Sequence, residues 1–208
     1  GVPFTLSTTF IGSGHLQALI GYDELRGSLL MRDPMQTSHA EYDAASFFDS
    51  YRADGPRAML LLPPDQAARI AGIELPDAAG WDAYFELSAA LERHDRDAAL
   101  AALQVLRRDC PGHRLAMNAE RALGLYDGDE AQILAWTERL LERYPDNRNL
   151  QLSKASSLWA IGGRGVHLQW LAGLAERADA DATTLARYAD RLSEDARRWP
   201  SISRRPKP

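Results

Sequence analysis

The chain has 208 residues, 45% hydrophobic and 25% charged, with a formal net charge of −5, which is the balance of a globular protein long enough to bury one large core or two small ones. That charge argues against a nucleic-acid partner, because phosphates need a cationic surface and the basic residues cluster only in the tail Arg204-Arg205-Pro206-Lys207-Pro208. A single cysteine, Cys110, excludes an internal disulfide and suits a reducing, cytoplasmic setting, and no run reaches the roughly 18–20 apolar residues of a membrane span.

Residues 1–64 have strand chemistry. The segment 3–10 is rich in β-branched and aromatic residues, a composition that suits a pleated, half-buried surface. Gly12-Ser13-Gly14 breaks it. A second strand over 15–22 places Leu16, Ala18 and Ile20 as the apolar set that fixes the backbone. A turn at 23–27 leads to a third strand at 28–32, and so short a connection makes the two strands antiparallel neighbours. A helical patch at 41–51 follows, with Ala44, Ala45, Phe47 and Phe48 as its apolar face. A strand at 57–62 ends at Pro63-Pro64. Three or four strands with no second layer are marginal alone, so either the downstream helices cover them or another segment completes the sheet. In the second case Phe4, Leu6 and Phe10 would be exposed. Gly1-Val2-Pro3-Phe4 reads as the interior of a fold, and no secretory signal is visible.

From residue 65 onward Ala, Leu, Glu and Arg dominate. Residues 65–79 read as a linking helix. Beyond it the chain repeats itself with a period of 34 residues: Pro111 with Pro145, Trp136 with Trp170, Gly128 with Gly162, and Leu106 with Leu140 and Leu174. That is the period of tetratricopeptide repeats, in which each unit is a pair of antiparallel helices. Units fall at 80–113, 114–147 and 148–181, with a terminal helix at 182–200, and the helical region as a whole is 80–208. The aromatic and small residues of the first helices are poorly kept, and Asp179 stands where a third proline belongs. An irregular helical bundle is the alternative.

The chemistry concentrates at His15 and Asp33. A lone histidine at the head of a strand is more often structural than catalytic. His15, however, follows a Gly-Ser-Gly segment that leaves an imidazole accessible, and Asp33 ends the antiparallel partner strand. A carboxylate there would fix the imidazole tautomer and stabilise the imidazolium, the orienting role in a nucleophilic triad. Ser13 is too close in sequence to His15 for a nucleophile–base pair. Cys110 precedes Pro111 at the end of a repeat and reads as a packing residue. His39, His94, His113 and His167 show no metal-ligand spacing. Gly12-Ser13-Gly14 and Gly162-Gly163-Arg164-Gly165 lack the helix or lysine of a phosphate loop. Neither metal nor cofactor is expected.

The series Gly14-His15, an apolar strand, Gly21-Tyr22-Asp23, a turn, a second strand and Asp33-Pro34 resembles the papain-like cysteine peptidases of the C39-like, bacteriocin-leader-processing type of bacteria, over about residues 1–63. The resemblance implies a general base at His15, an orienting acid at Asp33 and peptide-bond cleavage by thiol acyl transfer. The nucleophilic cysteine and the oxyanion-hole glutamine belong to a helical first half of such a domain that these residues do not contain, so the cysteine is expected upstream and this chain alone is expected to be inactive. Transglutaminase-like and acyltransferase chemistry share the triad order. The expected fold class is α+β, a small antiparallel β half-domain of papain-like type followed by an all-α repeat array that binds a peptide or protein. The competing reading is a non-catalytic repeat scaffold with a degenerate peptidase-like portion.

Overall fold

The computed structural model describes residues 4–10, 13–53, 55, 57–180 and 182–198. The fold is α+β. Among the described residues five antiparallel strands come first: β1 (Phe4–Phe10), β2 (Ser13–Asp23), β3 (Ser28–Arg32), β4 (His39–Asp43) and β5 (Arg57–Met59), in the order β4-β3-β2-β1-β5. Helix α1 (Ala44–Tyr51) interrupts them after β4. Among the described residues seven helices follow: α2 (Ala78–Glu92), α3 (Arg96–Asp109), α4 (Arg114–Asp127), α5 (Glu130–Arg143), α6 (Arg148–Ala160), α7 (Arg164–Ala175) and α8 (Ala182–Arg198). Among the described residues no helix is long and apolar enough to cross a membrane.

One face of the sheet is covered by α1. Phe4, Leu6, Leu19, Leu29 and Met31 meet Phe47 and Tyr51 there, and Met31 is fully buried. Asp43 starts the helix by accepting a hydrogen bond from the Ser46 amide, which satisfies one of the orphan donors of a first turn. Two expectations change here. The segment 41–51 is not one helical patch: alternating burial across His39–Asp43 makes a strand, paired to β3 through Leu29↔Tyr42 and Met31↔Ala40. Phe47 alone of its aromatic pair is buried, and Phe48 is 46% exposed.

The apolar face of β2 is also the reverse of the expected one. Leu16 and Ile20 are 52% and 51% exposed, whereas Gln17 and Leu19 turn inward. Period-two alternation allows only one of the two sets to face α1. The register Leu6↔Gln17 and Leu19↔Met31 selects the odd-numbered residues. Leu6 and Phe4 therefore lie in the core, and the uncovered apolar surface sits on the opposite face. Ser13 and Gly14 extend β2 by pairing with Phe10 and Thr9 instead of breaking the sheet. Gly12, the Phe10 side chain and the basic tail lie outside the described residues.

The linking helix expected at 65–79 is a single 3-10 segment, Pro64–Arg69, which Pro63 and Pro64 restrict from the start. Beyond it the 34-residue period is written in the helix starts. Helices α3, α5 and α7 begin at Arg96, Glu130 and Arg164, and α4, α6 and α8 at Arg114, Arg148 and Ala182. The turns keep step as well, with His94, Gly128 and Gly162 all in the left-handed conformation at φ 59°, 70° and 79°. Leu106, Leu140 and Leu174 are buried at equivalent places. The sheet docks on this array through the end of α1. The carbonyls of Ser50, Arg52 and Ala53 accept from Asn147 Nδ2, Arg114 Nη1 and Asn118 Nδ2, and Ala53 is fully buried with Leu140 and Leu150.

Candidate functional site

The described strand pairs of β2 with β3 end at Ala18↔Arg32. One step further, Asp33 falls opposite Gln17, and His15 is its diagonal neighbour on the same face, within reach of a long side chain. All three meet. His15 Nε2 lies 2.7 Å from Asp33 Oδ2, and Gln17 Nε2 donates to the same oxygen at 2.9 Å. The second carboxylate oxygen, Oδ1, accepts from the Met35 amide at 2.8 Å, and the Gln36 amide donates to the Asp33 carbonyl. This is an Asx turn, and Pro34 presets its backbone. The Asp33-Pro34 turn thus locks one carboxylate oxygen and aims the other at β2.

The carboxylate is an anion in this setting. The hydrogen bond from His15, followed by the Met35 amide, holds the Asp33 carboxyl below the usual carboxylate range, although burial pushes it up. Gln17 adds a third lowering contribution. An ionised carboxylate only accepts, so Nε2 of His15 carries a proton. In the neutral ring Nδ1 is then the basic nitrogen, and proton transfer to or from a reacting group would run through it.

The surroundings hold this geometry. Asp33 and Gln17 are 5% and 6% exposed, while the His15 side chain retains 20%. Thr8, opposite His15 on β1, is fully buried and donates to the His15 carbonyl. The Tyr51 phenol of α1 hydrogen-bonds Thr8, and burial raises its pKa. A cleft of about 320 Å³ beside α1 includes Gln17, Phe47, Ser50 and Tyr51 in its wall. Gln17 is the member that sequence reasoning misses. The signal is present, because residues two apart on a strand share a face, but the stronger apolar pattern of Leu16, Ala18 and Ile20 conceals it.

Cys110 belongs to the helical array. Its backbone N–H closes the end of α3 on the Leu106 carbonyl, as Tyr144 closes α5 on Leu140, at nearly the same φ of −129° and −130°. A methyl group on Gly80 of α2 would come within 3.1 Å of its Sγ. The Ser13 side chain lies outside the described residues. Asp23 caps its own turn by accepting from the Leu25 and Arg26 amides.

Two of the other histidines have local duties. His113 caps α4 and, with its pKa lowered by burial, lies 3.5 Å from Asp77. His167 is buried with Nδ1 2.6 Å from the Ala155 carbonyl. Among the described residues no three His, Cys, Asp or Glu side chains gather as metal ligands. Trp136, Trp159 and Trp170 are half-buried, and each carries a cation over its ring: Arg139, Arg191 and Lys154. Comparison with protein-family models, with curated proteins and with solved structures finds no match.

Proposed function

We propose that residues 1–64 supply the base and its orienting acid for thiol acyl transfer of the C39-like, papain-like peptidase kind, with the nucleophilic cysteine contributed from outside these 208 residues. The 2.7 Å contact between His15 Nε2 and Asp33 Oδ2 carries this reading. A thiol near His15 Nδ1 would lose its proton to the ring, and the thiolate would attack a peptide carbonyl. The imidazolium would then protonate the leaving amine, and water would release the acyl group. Asp33 holds the tautomer and balances the transient positive charge. The helical array, read as diverged tetratricopeptide-like repeats, presents a peptide or protein ligand.

The test is thiol labelling of the full-length protein with iodoacetamide. A cysteine outside residues 1–208 should react rapidly near neutral pH, and His15→Ala should slow it by at least about tenfold through loss of the thiolate-stabilising partner. Equal rates in the two proteins overturn the catalytic assignment. That outcome would leave the scaffold reading, in which the sheet is a structural remnant and the helices alone bind.

A further inference from the structure

The helical array holds a groove of about 420 Å³ between α2, α4 and α6, with β5 at its edge. Three arginines line it: Arg57 from β5, and Arg114 and Arg121 from α4. No carboxylate stands among its described lining residues. Arg96, Arg107, Arg148 and Arg177 each pair with an Asp or Glu, whereas Arg57 and Arg114, like Arg139, Arg143 and Arg164 outside the groove, have no such partner among the described residues.

Rings hold the guanidinium groups of Arg57 and Arg114, and Arg121 hydrogen-bonds the groove wall. Arg57 stacks on the Tyr84 ring and Arg114 on the Trp81 ring, each with its guanidinium carbon 5.2 Å from the centroid. Arg121 Nη1 donates to Asn118 Oδ1 at 3.1 Å and its Nη2 to Ser153 Oγ at 3.4 Å. Stacking fixes the rotamers of Arg57 and Arg114, and no described carboxylate pairs with either, which is preorganisation for an anion. Asn149 and Ser156 add amide and hydroxyl groups to the wall beside the apolar Leu125 and Leu152.

We propose that this groove binds an extended acidic peptide, whose carboxylates pair with Arg57 and Arg114 and whose apolar side chains rest on Trp81 and Tyr84. The proposal rests on the reading of the helical array as a peptide-binding surface and names the chemistry of its ligand. Carboxylates meet guanidinium forks in a planar, two-point fashion, and the wall amides and hydroxyls suit a peptide backbone. A nucleic acid fits less well, because a strand with one charge per nucleotide would leave the groove at both ends onto a net-acidic protein.

The test uses the whole chain and two short fluorescein-labelled peptides, one alternating Glu with Leu and Phe, the other its Gln-for-Glu twin, followed by fluorescence anisotropy. The Glu peptide should bind at least about tenfold more tightly than its twin, with an affinity that falls as salt rises. Arg57→Gln and Arg114→Gln should each weaken it several-fold, while Arg139→Gln, which lies outside the groove, should not. Arg57 is exposed at the sheet edge, so its loss leaves the fold intact even if a change at Arg114, which also holds the Arg52 carbonyl, does not. Equal binding of the twins, indifferent to the arginine variants, would overturn the acidic specificity and keep the peptide-binding reading. No binding of either peptide would overturn both. Tighter binding of a labelled oligouridylate than of the Glu peptide would overturn the choice of ligand.

Discussion

Gln17 and His15, two residues apart on β2, both hydrogen-bond the single oxygen Oδ2 of Asp33. Oδ1 is meanwhile fixed by the Met35 amide. Both oxygens of this carboxylate are thereby engaged. The orientation of the imidazole depends as much on the amide of Gln17 and the turn at Pro34 as on the strand that bears the histidine.

Replacement of Gln17 by Leu tests that dependence. The variant fills a similar volume but removes a buried donor from a charged acceptor, so unfolding in urea should show a loss of about 1–3 kcal/mol. In the full-length protein the rate of thiol labelling should fall as well, because Asp33 is freer to rotate. Gln17→Glu should be worse than Leu, since it sets two carboxylates against each other in a nearly dry site. A Gln17→Leu protein as stable and as reactive as the parent would mean that the turn alone positions Asp33.

Asp33 also sets an acid limit. Its folded-state pKa lies below the unfolded value, which is near about 4. The stability it contributes is therefore complete above that value and is lost as pH falls through the folded pKa. Asp43, Asp109, Asp127 and Asp179 are lowered too, so acid sensitivity of the parent alone would not single out Asp33. The difference between the parent and Asp33→Asn does. Their urea midpoints should lie apart at about pH 6 and converge toward about pH 3. A gap that stays constant over this range would show that Asp33 does not titrate with folding.

Cys110 offers a separate check on where the chemistry lies. Its counterpart one period later is Tyr144, which caps α5 in the same way. A position that accepts a cysteine in one repeat and a tyrosine in the next is set by helix termination and not by thiol reactivity. Cys110→Ser in the full-length protein should leave the His15-dependent labelling rate within about twofold and cost no more than about 1 kcal/mol of stability, as a small change at a partly exposed site. Loss of the His15-dependent component would move the nucleophile into the helical array and refute the assignment of an outside cysteine.

The helical half of this architecture is easy to read along the chain, because a 34-residue spacing of prolines, glycines and leucines constrains every helix pair at once. The β half is legible only in its polar landmarks. His15 and Asp33 stand out by their places at the head and end of neighbouring strands. The face they share is harder to assign, because Leu16, Ala18 and Ile20 outscore His15, Gln17 and Leu19 in hydrophobicity and only cross-strand register decides between them. β4 is hidden by Ala40, Glu41 and Asp43, which have weak strand propensity but take the free edge of β3. The groove arginines cannot be found along the chain at all, since Arg57 and Arg114 become neighbours only when the sheet docks on α4.

The repeat turns carry the last prediction. Gly128 and Gly162 adopt positive φ at no steric cost, but His94 holds the equivalent place at φ 59° with a Cβ, where an L-residue is strained by about 1 kcal/mol. Its ring gains little in return, a 3.4 Å approach of Tyr126 Oη to Nδ1 at an exposed site. His94→Gly should therefore stabilise the protein by about 0.5–1 kcal/mol, with the gain of native backbone ease partly offset by the greater freedom of glycine in the unfolded chain. Gly128→Ala should cost about 1 kcal/mol or more by the converse argument. No heavy atom lies within 4 Å of a Cβ built at Gly128, so that loss would report backbone strain and not crowding. Both changes are read from urea midpoints at constant m value. A destabilised His94→Gly protein would mean that the His94–Tyr126 contact outweighs the strain at this turn.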